Sequence, residues 1–115
     1  RVDVQIICNH LNLDVDTAIP LGLIINELVT NSYKYAFKGR PNGQLKIRLE
    51  EENNILLLEI RDNGPGLTKG FEINKSKTFG MKLIQSLAAK LSAEIAVSSE
   101  QGVCFKLHIH QYQKG

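Results

Sequence analysis

The sequence predicts an α+β fold, a two-layer α/β sandwich in which helices cover one face of a mixed sheet. Three observations predict it. Short runs alternate apolar with polar residues, two longer segments repeat at helical spacing, and their order along the chain is βαββαββ. Successive strands joined by tight turns pair antiparallel, and one helical layer can bury the inward side of such a sheet.

Each element follows from its residues. Val2, Val4 and Ile6 alternate with Asp3 and Gln5, which predicts a half-buried strand. The strongest helix runs from about Asp16 to Phe37. Asp16 or Thr17 can cap it, Pro20 suits its first turn, and Leu21, Ile24, Ile25 and Leu28 form its apolar stripe. Gly39, Pro41, Asn42 and Gly43 end it. Leu45, Ile47 and Leu49 then alternate with Lys46, Arg48 and Glu50, and Asn53-Asn54 turns the chain into the run from Ile55 to Ile60, a β-hairpin. From Asp62 to Thr78 the composition shifts to Gly, Pro, Lys, Asn and Ser, a loop of the length that compact domains use for function or motion. A second helix from about Phe79 to Leu91 carries Met81, Ile84, Leu87, Ala88 and Leu91 on one side. Two closing strands, Glu94 to Ser99 and Val103 to His110, are joined through Gln101-Gly102.

The totals narrow the function. A chain of 115 residues fits one domain and is long enough to bury a core without staples. Hydrophobic residues at 43% and charged residues at 23% describe an ordinary soluble globular protein. Fourteen basic against twelve acidic residues give +2, too balanced for nucleic acid or an anionic membrane surface to be the partner by bulk electrostatics. The longest apolar stretches, Leu21 to Ile25 and Ile55 to Leu58, are core-sized, far short of a bilayer span. Cys8 and Cys104 have neither CxxC spacing nor a His partner, so they read as small buried hydrophobes, consistent with a reducing, cytoplasmic compartment. The first residue is not methionine, and the chain is expected to be a piece of a longer one.

Chemistry concentrates in three places. On the first helix Glu27, Asn31, Lys34 and Tyr35 fall at i, i+4, i+7 and i+8, on one face. An Asn carbonyl oxygen is a hard ligand suited to Mg²⁺, and Lys34 could meet phosphates as a point charge. A plain solvated face fits the same pattern. After the hairpin comes Arg61-Asp62-Asn63-Gly64-Pro65-Gly66-Leu67, where Gly-Pro-Gly lets backbone pass close to a ligand. The Asp62 carboxylate can accept from an exocyclic amine such as adenine N6, and ordinary turn chemistry also fits. Thr78-Phe79-Gly80-Met81 opens the second helix, whose free N–H groups favour anions. No catalytic triad is apparent. His108 and His110 share a strand face with Lys106, which a solvent-facing sheet explains.

These segments, in this order, resemble the N box, G1 box and G2 box of the ATPase superfamily that includes gyrase, heat-shock-ninety chaperones, histidine kinases and MutL mismatch-repair proteins. Leu21-Gly22-Leu23-Ile24-Ile25-Asn26-Glu27-Leu28-Val29-Thr30-Asn31-Ser32, continued by Lys34-Tyr35-Ala36-Phe37, resembles the sensor histidine kinases whose N box reads NELVTNAxKHAF. The resemblance spans nearly the whole chain. It implies a Bergerat ATP-binding fold with nucleotide between the helical layer and a mobile lid.

By the same resemblance, Asn31 would coordinate Mg²⁺, Lys34 would contact phosphate, Tyr35 would pack along adenine, and Asp62 would bond its N6 amine. Gly64 and Gly66, with Leu67 beside them, would shape the adenine pocket. Gly80, flanked by Thr78 and Met81, would sit by the phosphates, and Asn26 belongs to the same nucleotide set. Glu27 stands where ATP-hydrolysing relatives keep a base. In kinases of this branch it would orient the attacking imidazole.

The chain departs from the family pattern in four places. There is one glycine at the G2 box, no separate F box between Leu67 and Thr78, and Gly102-Val103-Cys104-Phe105 where Gly-Thr-x-Phe is usual. The phosphoacceptor helix of the branch is missing. The expected activity is therefore that of a protein-histidine kinase's catalytic domain. It would donate the γ-phosphoryl group of Mg-ATP to a histidine on a separate dimerisation domain of the parent protein, with a response regulator downstream and the fragment itself monomeric. The alternatives are a stand-alone anti-sigma-factor-type serine kinase and a nucleotide-binding module that transfers nothing.

Overall fold

The computed structural model describes residues 2–9, 11–37, 42–64, 79–99 and 102–110. They form β1 (Val2–Cys8), α1 (Val15–Asn31), a π-helical turn (Ser32–Ala36), β2 (Gly43–Glu52), β3 (Ile55–Asp62), α2 (Phe79–Lys90), β4 (Ala93–Ser98) and β5 (Cys104–Ile109). The strands make one five-stranded sheet in the order β1-β2-β3-β5-β4. β1 runs parallel to β2 and the remaining neighbours are antiparallel, so the sheet is mixed, as predicted, with β3 at its centre. Asn53 and Asn54 both take positive φ, 55° and 65°, the backbone that a two-residue hairpin turn demands and that Asn tolerates.

Alternation gives the sheet two faces. Leu56, Leu58 and Ile60 of β3 and Phe105, Leu107 and Ile109 of β5 point to the helices, where they bury against Leu21, Ile24 and Leu28 of α1 and Ile84 and Ala88 of α2. Each such side chain contributes about 1.5–3 kcal/mol through the water it escapes. The opposite face pairs Lys46 with Arg61, Arg48 with Glu59, and Glu59 with Lys106 across the ladder.

At the middle of that polar face Glu59 is 3% exposed. Arg61 donates to its Oε2 at 3.3 Å, and Arg48 Nε stands 3.4 Å from its Oε1, an ion pair off the hydrogen-bond axis. Burial pushes the Glu59 carboxyl up, but Arg48, the Cys104 thiol and Arg61 outweigh it and hold it below the ordinary carboxylate value. His108 lies half-buried on this face, and exposed His110 stands 3.2 Å from Glu94, in keeping with a solvent-facing role.

Several elements depart from the sequence reading. In β1, Val4 and Ile6 are 46% and 69% exposed, because β1 is an edge strand while α1 packs over β3 and α2 over β4. Helix α1 is capped by Asp14, whose carboxylate accepts from the Asp16 amide at 3.1 Å. Asp16 instead sits in the first turn, and Thr17 is buried. With Val15 as the first helical residue, Pro20 falls in the second turn, where it packs into the core. Cys104 is buried but Cys8 is exposed.

The helix also ends earlier than predicted, and its last turn is wider. The Phe37 amide donates to the Ser32 carbonyl at 3.1 Å, the five-residue reach of a π turn. In an α-helix, residues five apart point about 140° away from each other. The π turn brings Ser32 and Phe37 to one side, and both are buried. The Phe37 ring lies on Gly43, where a Cβ would stand 3.0 Å from ring carbon Cγ, and meets Tyr33 edge-on at 5.7 Å.

Candidate nucleotide-binding site

The central strand delivers the strongest site residue. Asp62 ends β3 and is 7% exposed. Its Oδ1 accepts from the Gly64 amide at 2.9 Å and from the Val103 amide at 3.1 Å. Its own amide donates to the Val103 carbonyl at 2.9 Å. These bonds fix the carboxylate from two directions and saturate one of its oxygens. Its Oδ2 receives only the Ser32 hydroxyl, at 3.4 Å among the described residues, and keeps spare accepting capacity. Gly102 makes the arrangement possible. It takes φ 113°, and a Cβ there would overlap the Asp62 carbonyl oxygen.

The next residue is held from the other side. The Asn63 amide donates to the Gln44 carbonyl at 3.2 Å, its Oδ1 accepts from the Gln44 amide at 2.8 Å, and its Nδ2 donates to the Asn42 carbonyl at 3.1 Å. The exit of β3 is thereby fastened to both neighbouring strands, and the chain enters the predicted glycine loop from a fixed point.

Helix α1 brings its own residues to this end. Asn31 is its last residue, half-buried, directly before the Ser32 that reaches Asp62. Glu27, one turn earlier, lies against Gly80 at the start of α2, where a Cβ would overlap Glu27 Oε1. Residues from all three predicted segments thus meet at the seam between α1, the β3 exit and the start of α2. Lys34 is exposed and sits in the π turn, so the α-helical spacing that placed it and Tyr35 in line with Asn31 does not apply there. Asn26 is exposed, Gly64 is buried, and Met81 packs against the core edge. Gly66, Leu67, Thr78 and the side chain of Tyr35 lie outside the described residues.

Sequence reasoning missed Ser32, Asn63 and the Gly102-Val103 pair. Ser32 had a signal, since the related N box carries Ala there and a hydroxyl invites a partner. In Val103 the backbone amide, which every residue type but proline has, does the bonding, so its identity gave no cue.

A mixed sheet under one helical layer, with a buried carboxylate at the central strand's end facing a helix terminus, defines a two-layer domain with a candidate site at that seam. The chain belongs to the family described as histidine kinase-, DNA gyrase B-, and HSP90-like ATPase, whose model matches residues 16–113. It is 31% identical over 107 residues to the sensor histidine kinase PdtaS of Mycobacterium tuberculosis, covering 90% of this chain and 21% of that protein. The chain therefore spans about a fifth of that relative. It is 25% identical to an anti-sigma F factor of Geobacillus thermodenitrificans over 95% of this chain and 82% of the factor. Among solved structures, the histidine kinase domain of the blue-light-activated kinase EL346 from Erythrobacter litoralis superposes with a TM-score of 0.88. The match has 24% identity and covers 94% of this chain and 51% of that one. The fold is thus that of histidine kinase catalytic domains.

Proposed function

We propose that this domain binds Mg-ATP and presents it for phosphoryl transfer to a histidine on a separate dimerisation domain of a longer parent protein, in two-component signalling. The observation that carries the reading is the Asp62 carboxylate. It is buried and fixed by two backbone amides on one oxygen, with the other oxygen lightly engaged by Ser32. A buried carboxylate in that state supports recognition of an amine donor such as adenine N6, whereas guanine would bring an oxygen to it.

Bound Mg-ATP supplies the transferable γ-phosphoryl group, and the chain's own residues bind and orient around it. Asn31 offers an amide oxygen to the ion. No cluster of three His, Cys, Asp or Glu side chains exists among the described residues, so the remaining ligands would be water and phosphate oxygens. Lys34 lends positive charge to the phosphates. Glu27 orients the incoming imidazole by accepting from its ring N–H, keeping the other nitrogen free to attack. Most of the work in such a transfer is positioning and charge neutralisation. The response regulator, the cytoplasmic setting and a monomeric fragment complete the proposal.

Calorimetric titration with a non-hydrolysable ATP analogue, with and without Mg²⁺ and with the GTP analogue as control, tests it. Saturable binding that prefers adenine and strengthens with Mg²⁺ is expected. Absence of binding at millimolar nucleotide would refute it. A second reading has its own support: the anti-sigma F factor relative is matched over 82% of its length, so a chain of nearly this extent can be most of such a protein. Transfer of label from γ-labelled ATP to a serine of an added partner protein, with none to an acceptor-histidine domain, would favour it.

A further inference from the structure

We propose that Gly80 is a positioning residue for Glu27: the absence of its side chain is what gives the Glu27 carboxylate its place. The inference rests on the Mg-ATP reading for its functional meaning, though not for its geometry. A Cβ on Gly80 would overlap Glu27 Oε1, would stand 3.0 Å from its Cδ, and would reach Cγ at 3.6 Å. All three nearest atoms belong to that one side chain. Fifty or so residues separate the pair in sequence, and the two come together because α1 and α2 pack side by side over the sheet.

The notch differs in kind from that at Gly102, where the obstructing atoms are backbone. At Gly80 the obstruction is the tip of a flexible side chain, so a methyl group would displace a carboxylate and leave the fold intact. Glu27 is half-buried, with Ile24 and Leu28 beside it in the core. Retreat inward would bury its charge, so the displaced carboxylate moves outward along the start of α2. Phosphates bound near that helix start would then meet an added negative charge. Gly80 thus parks Glu27 beside the helix start.

The test has two arms on the chain as it stands. In the first, the nucleotide-free protein is labelled with glutamate bearing ¹³C in the carboxyl group, and Glu27→Gln assigns the Glu27 resonance. Gly80→Ala should move that resonance, leave those of Glu50 and Glu94 in place, and keep the melting temperature near wild type. An unmoved Glu27 signal, or a collapsed fold, overturns the proposal. In the second arm, Gly80→Ala should weaken binding of the magnesium complex of the non-hydrolysable analogue by about tenfold. Adding Glu27→Ala should recover most of that loss, the non-additivity expected of coupled neighbours. A loss that persists in full in the double variant means that Gly80 acts on the phosphates directly and overturns the proposal. Wild-type protein that binds no nucleotide would refute the Mg-ATP reading instead, and the carboxyl resonance alone would then decide this one.

Discussion

Among Gly22, Gly43, Gly80 and Gly102, an added methyl group should be most damaging at Gly102. The residue's φ of 113° lies in the region reserved for glycine, and an Ala held there costs about 1–3 kcal/mol. The methyl would also overlap the Asp62 carbonyl oxygen and stand 2.9 Å from its carbonyl carbon and 3.1 Å from Asn63 Cα, all backbone atoms. Relief requires pulling Val103 away from Asp62, which breaks the Asp62 amide bond at 2.9 Å and the Val103 amide bond to the carboxylate at 3.1 Å. The first contributes about 1 kcal/mol and the second, to a charged acceptor, about 1.5–3 kcal/mol. The combined loss is roughly 3.5–7 kcal/mol. For a chain of this size that lowers the melting temperature by about 15–30 °C. Thermal and urea denaturation followed by circular dichroism would read it. The control is Gly22→Ala: a Cβ there meets nothing within 4 Å, and the residue lies inside α1, so helix propensity should raise stability by up to about 1 kcal/mol. If Gly102→Ala melts within 3 °C of wild type, the clamp on Asp62 is not built as described.

Asp62→Asn keeps an oxygen for the Gly64 and Val103 amides but turns the free side of the group into a donor. ATP-analogue affinity should fall about 10–100-fold, the worth of a charged hydrogen bond, and the melting temperature should drop by several degrees as both amide bonds pass from a charged to a neutral acceptor; calorimetry alongside a thermal melt checks both. Ser92 takes φ 53° just after α2, a left-handed position that glycine fills without strain. Ser92→Gly should therefore stabilise by about 1 kcal/mol in urea titration. Glu59 is held below its unfolded value, so its contribution to stability is full above the unfolded carboxylate value and fades as pH falls through the folded one. Urea midpoints measured from pH 7 down to pH 3 should fall more steeply for wild type than for Glu59→Gln, and parallel profiles would contradict the network drawn around Glu59.

Where a local rule governs, the sequence was enough. Asn53-Asn54 announced its hairpin and the apolar stripe announced α1, because turn chemistry and periodicity act over a few residues. The π turn was not legible. Ser32 to Phe37 is compatible with a straight α-helix, and what widens it is the reward of burying Ser32 beside Asp62 and Phe37 on Gly43, contacts that exist only after β2 and β3 are in place. The exposure of Val4 and Ile6 was hidden for a similar reason. Alternation says that a strand has two faces but not that it will lie at an edge the helices do not reach. Glu27 and Gly80 were each marked by family motif, while their contact depends on how the helices pack.

The parallel pairing of β1 has a consequence for how the chain assembles. The β2–β3 and β4–β5 hairpins close on themselves within a few residues, whereas Val2 must find Gly43 across the whole of α1. Loop-closure entropy makes such a long-range pairing late and slow. Among the described residues β1 also has a neighbour on one side only, and Val4 and Ile6 stay largely uncovered, so its seal on the sheet is shallow. The other edges of the domain can form first as a self-sufficient nucleus, with β1 arriving as a latch. In amide exchange β1 should open far more often than β3, whose end is tied on both sides. The strand most loosely attached is thus the one farthest in the sheet from β4, and the Asp62 end is left among the last parts of the molecule to come undone.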